Sequence, residues 1–178
     1  MIVWLNGTFG AGKTTTARLL QQTLPARVFD AEHIGYLLRG IMGDLPHRDF
    51  KEFPPWRALT VETARHVLDH AGGTLVIPQT VLEHDYWTEL MDGFDKHAIP
   101  VRAYTLHTDR TAFTRRVTAD ADEPTALQWR LDHRDPYEAA LGTWLADRTT
   151  VIDNTDATPE QAADRIRADL ARGNVPTP

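Results

Sequence analysis

The sequence predicts an α/β fold in which a parallel sheet of five strands carries helices on both faces, giving three layers. Short apolar segments alternate along the chain with longer amphipathic segments, the order expected of parallel strands joined by helices. The first apolar segment also leads directly into a glycine-rich loop and a helical pattern. With 178 residues, the chain can bury the apolar surface of one domain, so we expect a single domain over residues 1–178.

Five strands are predicted from short runs of β-branched, aromatic and other apolar residues. The first, at residues 2–5, is apolar throughout, as expected of a strand buried on both faces. The others follow at 27–30, 74–78, 101–106 and 151–152. Asp30 would then lie at the carboxyl end of the second strand.

Helices are predicted where apolar residues recur at spacings of three and four. Ala17, Leu20 and Leu24 mark the first helix, which Pro25 ends. The predicted helices cover 14–24, 31–42, 56–71, 83–97, a segment from about 109, a stretch at 125–146 interrupted or bent at Pro136, and 159–171. Residues 43–55 contain a glycine, three prolines and several charges, which predicts an irregular surface segment.

Composition excludes several classes of protein. The chain has 25 acidic and 19 basic residues, so its net charge of -6 provides no positive field for general nucleic-acid binding. No uncharged apolar run approaches the ~20 residues of a membrane helix, and we expect no membrane span. The first residues run into the glycine loop without the pattern of a secretory signal, which favours the cytoplasm. The lack of cysteine excludes disulfides and thiolate metal sites.

The loop G-T-F-G-A-G-K-T at residues 7–14 satisfies the pattern G-x-x-x-x-G-K-[ST] of phosphate-binding loops. The alternative, a chance match in an unrelated loop, is disfavoured by the flanking strand and helix. Glycines let the backbone curl around phosphate oxygens, while Lys13 adds positive charge and the Thr14 hydroxyl can coordinate Mg²⁺. We therefore predict a P-loop NTPase fold that binds ATP and Mg²⁺. The predicted nucleotide-binding residues of the loop are Gly7, Thr8, Phe9, Gly10, Ala11, Gly12, Lys13, Thr14 and Thr15.

Asp30 is the predicted catalytic carboxylate, and Lys13 is the predicted catalytic cation. A carboxylate at this strand end can accept the proton of an attacking hydroxyl or help to hold Mg²⁺. It can equally cap the helix that follows, and the two roles are compatible. Glu32 is a second candidate on the substrate side. The third strand ends at Gln79 where motors and switches normally have an aspartate, which favours a kinase over a switch.

Arginines in the second half of the chain are predicted to act from a lid at residues 116–134. Phosphoryl transfer spreads negative charge over the moving group, which calls for cationic side chains above it. The alternative is a solvated helix face with surface ion pairs. The candidates are Arg110 for nucleotide binding, Arg115 and Arg116 for catalysis, and Arg130 and Arg134 after an acidic, proline-bearing turn at 120–124.

A small-molecule acceptor is predicted to bind beside the segment 43–57. This part of the chain combines aromatic residues with an arginine, which suits a polar ligand that carries a ring. The same residues also suit an ordinary apolar core. The predicted acceptor-binding residues are Glu32, Phe53, Trp56, Arg57 and Gln79.

Four segments carry a resemblance to a known family: 2–14, Phe29-Asp30 before His33-Ile34-Gly35, Asp49-Phe50 with Pro55-Trp56-Arg57, and 76–80. Through these segments the chain resembles the ATP-binding tunicamycin-resistance proteins, which are similar to nucleotide and small-molecule kinases. The resemblance covers the first half of the chain, whereas the second half matches only in element order and arginine placement. It implies ATP binding, a cytoplasmic location and a role for Trp56-Arg57 in the acceptor site. Chloramphenicol phosphotransferases and shikimate-type kinases resemble the chain more distantly and support Asp30 as a site residue.

Three functions are compatible with these patterns. The first is an ATP-dependent kinase that phosphorylates a hydroxyl of a small molecule, with a nucleoside-like antibiotic such as tunicamycin as one candidate acceptor. The second is a non-catalytic, ATP-dependent protein that confers resistance by sequestering the drug. The third is a nucleotide-hydrolysing switch with a protein partner, which Gln79 disfavours. The sequence does not distinguish the first two.

Overall fold

The computed structural model of the protein describes residues 1–120 and 127–173. Within these residues, five parallel strands form one sheet in the order β2-β3-β1-β4-β5. The strands are β1 Ile2–Gly7, β2 Ala26–Val28, β3 Thr74–Pro78, β4 Val101–His107 and β5 Thr150–Asp153. The α/β fold with a five-stranded parallel sheet, predicted from the sequence, is confirmed.

Helices follow each strand of the sheet. They are α1 Lys13–Thr23, α2 Glu32–Met42, α3 Pro54–Ala71, α4 His84–Lys96, α5 Arg110–Ala119, α6 Leu127–Asp132, α7 Arg134–Ala140, α8 Ala146–Arg148 and α9 Pro159–Gly173. A 3₁₀ turn at Phe50–Glu52 precedes α3, and a π-helical segment at Leu141–Leu145 separates α7 from α8. None of the described helices has the length and apolar content needed to cross a membrane.

Successive residues of β1 point to opposite faces of the sheet, and both faces are buried. Ile2 and Trp4 pack in the apolar cluster that involves α2, α3 and α4. Val3 and Leu5 pack in a second cluster with α1 and α9. Helices therefore cover both faces of the sheet, and β1 lies in the middle of the three layers.

Trp4 also joins the ends of two neighbouring strands. Its side chain is fully buried, and the indole N–H donates to the carbonyl oxygen of Gln79 at 2.9 Å. The ring of Trp87 meets the Trp4 ring edge-to-face, with 5.8 Å between centroids. Because Gln79 directly follows β3, this contact fixes the edge of the sheet where the glycine-rich loop begins.

Several element boundaries differ from the predicted ones. β2 ends at Val28, so that Asp30 lies in the connection to α2 rather than in the strand. α3 begins at Pro54 rather than at Trp56, because proline at the start of a helix leaves no helical hydrogen bond unmade.

The predicted helix at 125–146 is not continuous. Residues 125 and 126 lie outside the described residues, and the rest is divided at His133 between α6 and α7. The helix is interrupted, as predicted, but at His133 rather than at Pro136. Pro136 occupies the first turn of α7, where proline is tolerated.

Gly35 lies where α2 touches the ring of Phe50. A Cβ at this position would be 2.5 Å from Cγ of Phe50, and that ring is buried against Trp56. We therefore expect Gly35→Ala to lower the free energy of unfolding by about 1–3 kcal/mol, the usual effect of overpacking.

Gly40→Ala is the matched control, because an added Cβ on the same helix would meet no described atom within 4 Å. It should be neutral or raise the free energy of unfolding by up to about 1 kcal/mol. Urea unfolding measures both variants, and equal stabilities would contradict the packing of α2 on Phe50.

Candidate functional site

The glycine-rich loop between β1 and α1 has a backbone that side chains would not permit. Gly7, Gly10 and Gly12 have φ angles of 135°, 67° and 82°. A Cβ on Gly7 would also lie 2.5 Å from the carbonyl oxygen of Leu106 on β4. Glycine at these positions lets the loop turn back over the end of the sheet.

The start of α1 presents backbone N–H groups that the helix does not use. Gly12 is the N-cap, and the first helical hydrogen bond runs from the N–H of Thr16 to the carbonyl of Gly12 at 2.8 Å. The N–H groups of residues 12–15 therefore have no partner within the helix, and over residues 1–120 and 127–173 no side chain accepts a hydrogen bond from them. Together with the helix dipole, such groups form a binding site for phosphate.

Lys13 folds over the same loop. Its ammonium donates to the carbonyl oxygens of Gly7 at 3.2 Å and Thr8 at 2.7 Å. Burial lowers the pKa of Lys13 to about 8, while the negative charge of Glu32 opposes this shift and the positive charge of Lys51 adds to it. The cation of the loop is thus held beside the unpaired amides.

Hydrogen bonds from the sheet hold the loop in place. The buried amide of Asn6 donates to the carbonyl of Val81 at 2.8 Å and accepts from the N–H of Gly7 at 2.8 Å. The Thr80 hydroxyl donates to the carbonyl of Gly7 at 2.7 Å. On the other side, the Asn154 amide donates to the carbonyl of Ala11 at 2.6 Å. The loop is therefore braced by the segments after β3 and β5.

A cleft with a volume of ≈ 590 Å³ opens in front of the loop. One wall consists of the loop and the start of α1. The facing wall includes Glu32 from α2, residues 49–51 from the predicted acceptor-binding segment 43–57, and residues 78–80 at the end of β3. Asp120, Trp129 and Arg130 line it from the side of α5 and α6.

Oxygen atoms suited to Mg²⁺ lie around this cleft. Thr14 lines it, and within residues 1–120 and 127–173 no group hydrogen-bonds to the Thr14 hydroxyl. The amide oxygen of Gln79 is buried and lacks a hydrogen-bond donor in the same part of the chain. Mg²⁺ prefers hard oxygen ligands and keeps several waters, and the oxygens of Thr14 and Gln79 are ligands of this kind.

Comparison with known proteins assigns the chain to a family. A family model described as an AAA domain matches residues 2–133, which is more than half of the chain. The chain belongs to this AAA domain family. No curated protein matches it significantly.

The chain also resembles individual proteins of known structure. It is similar to the tunicamycin resistance protein of Deinococcus radiodurans, with 27% identity, a TM-score of 0.77, and coverage of 95% of this chain and 94% of that chain. The tunicamycin-resistance resemblance predicted from the sequence is confirmed.

Two kinases of low sequence identity resemble the chain in fold. Shikimate kinase of Aquifex aeolicus has 14% identity, a TM-score of 0.65, and coverage of 99% of this chain and 100% of that chain. The APS kinase of Mycobacterium tuberculosis, in complex with AMPPNP and APS, has 19% identity, a TM-score of 0.57 and coverage of 96% of both chains. The chain therefore has a kinase-like fold.

The predicted carboxylates are arranged differently from the sequence-based expectation. Asp30 does not line the cleft of the AAA domain; its Oδ1 accepts the N–H of Glu32 at 3.0 Å, as a residue at the start of a helix does. Glu32, the second candidate, does line the cleft.

Three of the predicted acceptor residues lie behind the cleft surface. Trp56 is fully buried and donates to the carbonyl of Ala31 at 3.0 Å, and Phe53 is buried in the same apolar cluster. Arg57 is buried, pairs with the carboxylate of Glu89 and lies over the ring of Tyr86. These three side chains therefore occupy core positions, which was the alternative to acceptor binding in the sequence analysis. Gln79 and Glu32 are the predicted acceptor residues that the structure brings to the cleft.

The predicted arginines are dispersed. Arg110 is exposed and pairs with Asp135 and Glu138, and Arg115 is exposed beside it, so neither lines the cleft. Arg116 donates to the carbonyls of Asn154 at 2.8 Å and Thr155 at 3.0 Å, behind the glycine-rich loop. The positions of Arg110 and Arg115 correct the expectation that they act over the phosphates.

Within the predicted lid, Arg130 is the arginine that reaches the cleft. Its guanidinium donates to the Asp120 carboxylate at 2.7 Å. Arg134 is buried and donates to the carbonyl of Thr108 at 2.7 Å. Most of the predicted turn at 120–124 lies outside the described residues.

Lys51 and Trp129 line the cleft, and the sequence analysis missed them. Lys51 is buried beside Asp49, and Trp129 packs against Phe9 of the glycine-rich loop, with 4.6 Å between ring centroids and the ring planes tilted by 54°. Neither belongs to a motif. A lysine in an irregular segment and a single tryptophan on a helix have no sequence pattern that identifies them as site residues.

The lowered pKa of Lys13 predicts a pH dependence of nucleotide binding. Below a pH of about 8, the ammonium is charged in the free protein; above it, the amine must take up a proton as phosphate binds, because phosphate favours the charged form. We expect the affinity for ATP to fall as the pH rises above about 8, with uptake of a proton.

Titration calorimetry in buffers with different ionisation enthalpies measures both quantities. Any binding retained by Lys13→Arg should lack the dependence, because a guanidinium stays charged. A wild-type affinity that is constant above this pH would contradict the account of Lys13.

Proposed function

We propose that this protein is an ATP-dependent phosphotransferase that transfers the γ-phosphoryl group to a hydroxyl of a small molecule. One observation carries the proposal: a single cleft has the N-terminus of α1 and Lys13 on one side, and a carboxylate, cations and aromatic rings on the other. A switch that hydrolyses a nucleotide would not need a second wall equipped for a small ligand.

The donor is proposed to be ATP. The amides of residues 12–15 and the Lys13 ammonium would hold its phosphates, with Lys13 exchanging its loop carbonyls for phosphate oxygens. Mg²⁺, when bound beside Thr14, would neutralise charge on the β- and γ-phosphates. The AMPPNP in the APS kinase of similar fold supports an adenine nucleotide in this position.

Glu32 is proposed to accept the proton of the acceptor hydroxyl. Its carboxylate lines the cleft and is close enough to Lys13 to act on its charge, and the Tyr36 hydroxyl donates to it at 3.1 Å. As the hydroxyl oxygen bonds to the γ-phosphorus, the bond to the bridging oxygen breaks, ADP leaves and the proton passes to Glu32. Asp30, which accepts the Glu32 N–H, would position this residue.

From the predicted lid at 116–134, Arg130 is the residue that we propose to act on the transferring group. This side chain lines the cleft and would move from Asp120 toward the charge of the transferring group. The predicted single domain and cytoplasmic location belong to the same proposal.

The acceptor is proposed to be a polar molecule that carries a ring. An opening of ≈ 380 Å³ adjoins the cleft and combines aromatic side chains with arginines. The 27% identity to the tunicamycin resistance protein supports a nucleoside-like antibiotic as the acceptor. The residues at this opening are Phe9, Glu32, Tyr36, Arg39, Phe50, Trp129 and Arg130.

Mass spectrometry tests this function directly. The protein is incubated with Mg-ATP and a panel of nucleosides, nucleotides and antibiotics that includes tunicamycin. We expect one acceptor class to gain the mass of one phosphate, and Lys13→Ala to abolish the gain. Glu32→Gln should lower the rate by roughly 100-fold, whereas Glu83→Gln, an exposed glutamate outside the cleft, should not change it.

Each other outcome identifies a different function. Acceptors that bind in the presence of ATP but never gain mass would favour the sequestering protein. ATP hydrolysis that no small molecule stimulates would favour the switch. A fully active Glu32→Gln would remove Glu32 from the mechanism.

A further inference from the structure

Lys51 places a second lysine in the cleft. Its side chain is 7% exposed, yet it lines the cleft together with residues of the glycine-rich loop. The ammonium donates to the Asp49 carboxylate at 2.5 Å and lies 5.1 Å from the centre of the Phe50 ring. A lysine this buried is uncommon unless it is paired or has a ligand.

The structure around Lys51 fixes its backbone. The Asp49 carboxylate also accepts the N–H of Lys51 at 2.9 Å, which closes the 3₁₀ turn Phe50–Glu52. The guanidinium of Arg57 donates to the Lys51 carbonyl at 2.5 Å and is itself held by Glu89. The Phe50 ring fits against Gly35 of α2. Arg57 therefore supports the backbone of the predicted acceptor-binding segment 43–57, although its own side chain does not reach the cleft.

The hydrogen bonding of Lys51 is incomplete. An ammonium has three N–H donors, and over residues 1–120 and 127–173 a single acceptor, on Asp49, is in contact with this one. Asp49 keeps the pair close to neutral, which allows the lysine to be buried. The remaining N–H groups are available to a ligand in the cleft that Lys51 lines.

Lys51 also faces Lys13. Burial is the larger cause of the lowered pKa of Lys13, and the positive charge of Lys51 adds to it. Two cations that repel each other across a cleft are stabilised by an anion between them. Since the Lys13 of such a loop reaches the β- and γ-phosphates, that anion is the terminal phosphate.

We propose that Lys51 is a second phosphate-binding lysine, which contacts the transferring γ-phosphoryl group from the acceptor side while Asp49 positions its ammonium. The proposal rests on the proposed function for catalysis, but its binding part requires only a nucleoside triphosphate. Lys51 would neutralise charge that grows on the γ-phosphate oxygens as the bond to ADP breaks.

Nucleotide affinity tests the contact without any acceptor. We expect Lys51→Gln to weaken binding of Mg-ATP roughly 10-fold and to leave binding of Mg-ADP unchanged, because only ATP carries the γ-phosphate. Lys51→Arg, which keeps the charge, should restore most of the affinity. Lys96→Gln removes an exposed lysine of α4 and is the matched control. Thermal unfolding of each variant shows whether it is folded under the conditions of the measurement.

The outcomes separate this proposal from the proposed function. Equal ATP and ADP affinities in Lys51→Gln and wild type, or equal losses for both nucleotides, would overturn the γ-phosphate contact. If the wild type phosphorylates an acceptor, Lys51→Gln should lower kcat by about 100-fold with a smaller change in the acceptor KM. A loss confined to the acceptor KM would assign Lys51 to the acceptor instead. If Lys51→Gln weakens binding of ATP but not of ADP, and the wild type phosphorylates no acceptor, the proposed kinase function is refuted while the γ-phosphate contact of Lys51 stands.

Discussion

The site depends on four backbone N–H groups at the start of α1 that no carbonyl of the helix can reach. They become a phosphate site because Gly10 and Gly12 adopt positive φ angles, which turn the loop so that the helix points its start at the cleft. Asn6 and Thr80 hold that loop to the sheet through Gly7. Binding a phosphate would satisfy donors that the fold leaves open.

Three of the cations that line the cleft contact oxygen atoms of the protein. Lys51 contacts Asp49, Arg130 contacts Asp120, and Lys13 contacts carbonyls of its own loop. Pairing makes buried and half-buried charges tolerable in the free protein. Phosphates would exchange these partners for stronger ones, so that the cations are already close to where charge develops during phosphoryl transfer.

The sequence predicted the parts of the candidate site that are built from residues close together along the chain. Strand, glycines, Lys13 and helix follow one another within a short stretch, and their spacing carries the phosphate-binding chemistry. The fold followed from the alternation of apolar segments. The placement of Arg57 could not be predicted, because it depends on Glu89, which is 32 residues away. Trp129 reaches Phe9 through the packing of α6, which no local pattern records.

Backbone amide chemical shifts measure the central claim most directly. In ¹⁵N-labelled protein titrated with Mg-ATP, the account predicts that the largest shifts occur at the amides of residues 12–15, as their N–H groups donate to phosphate. The same titration of Lys13→Ala should shift them far less. If ATP binds and these four amides do not respond while others do, the phosphates lie elsewhere and the account of the site is wrong.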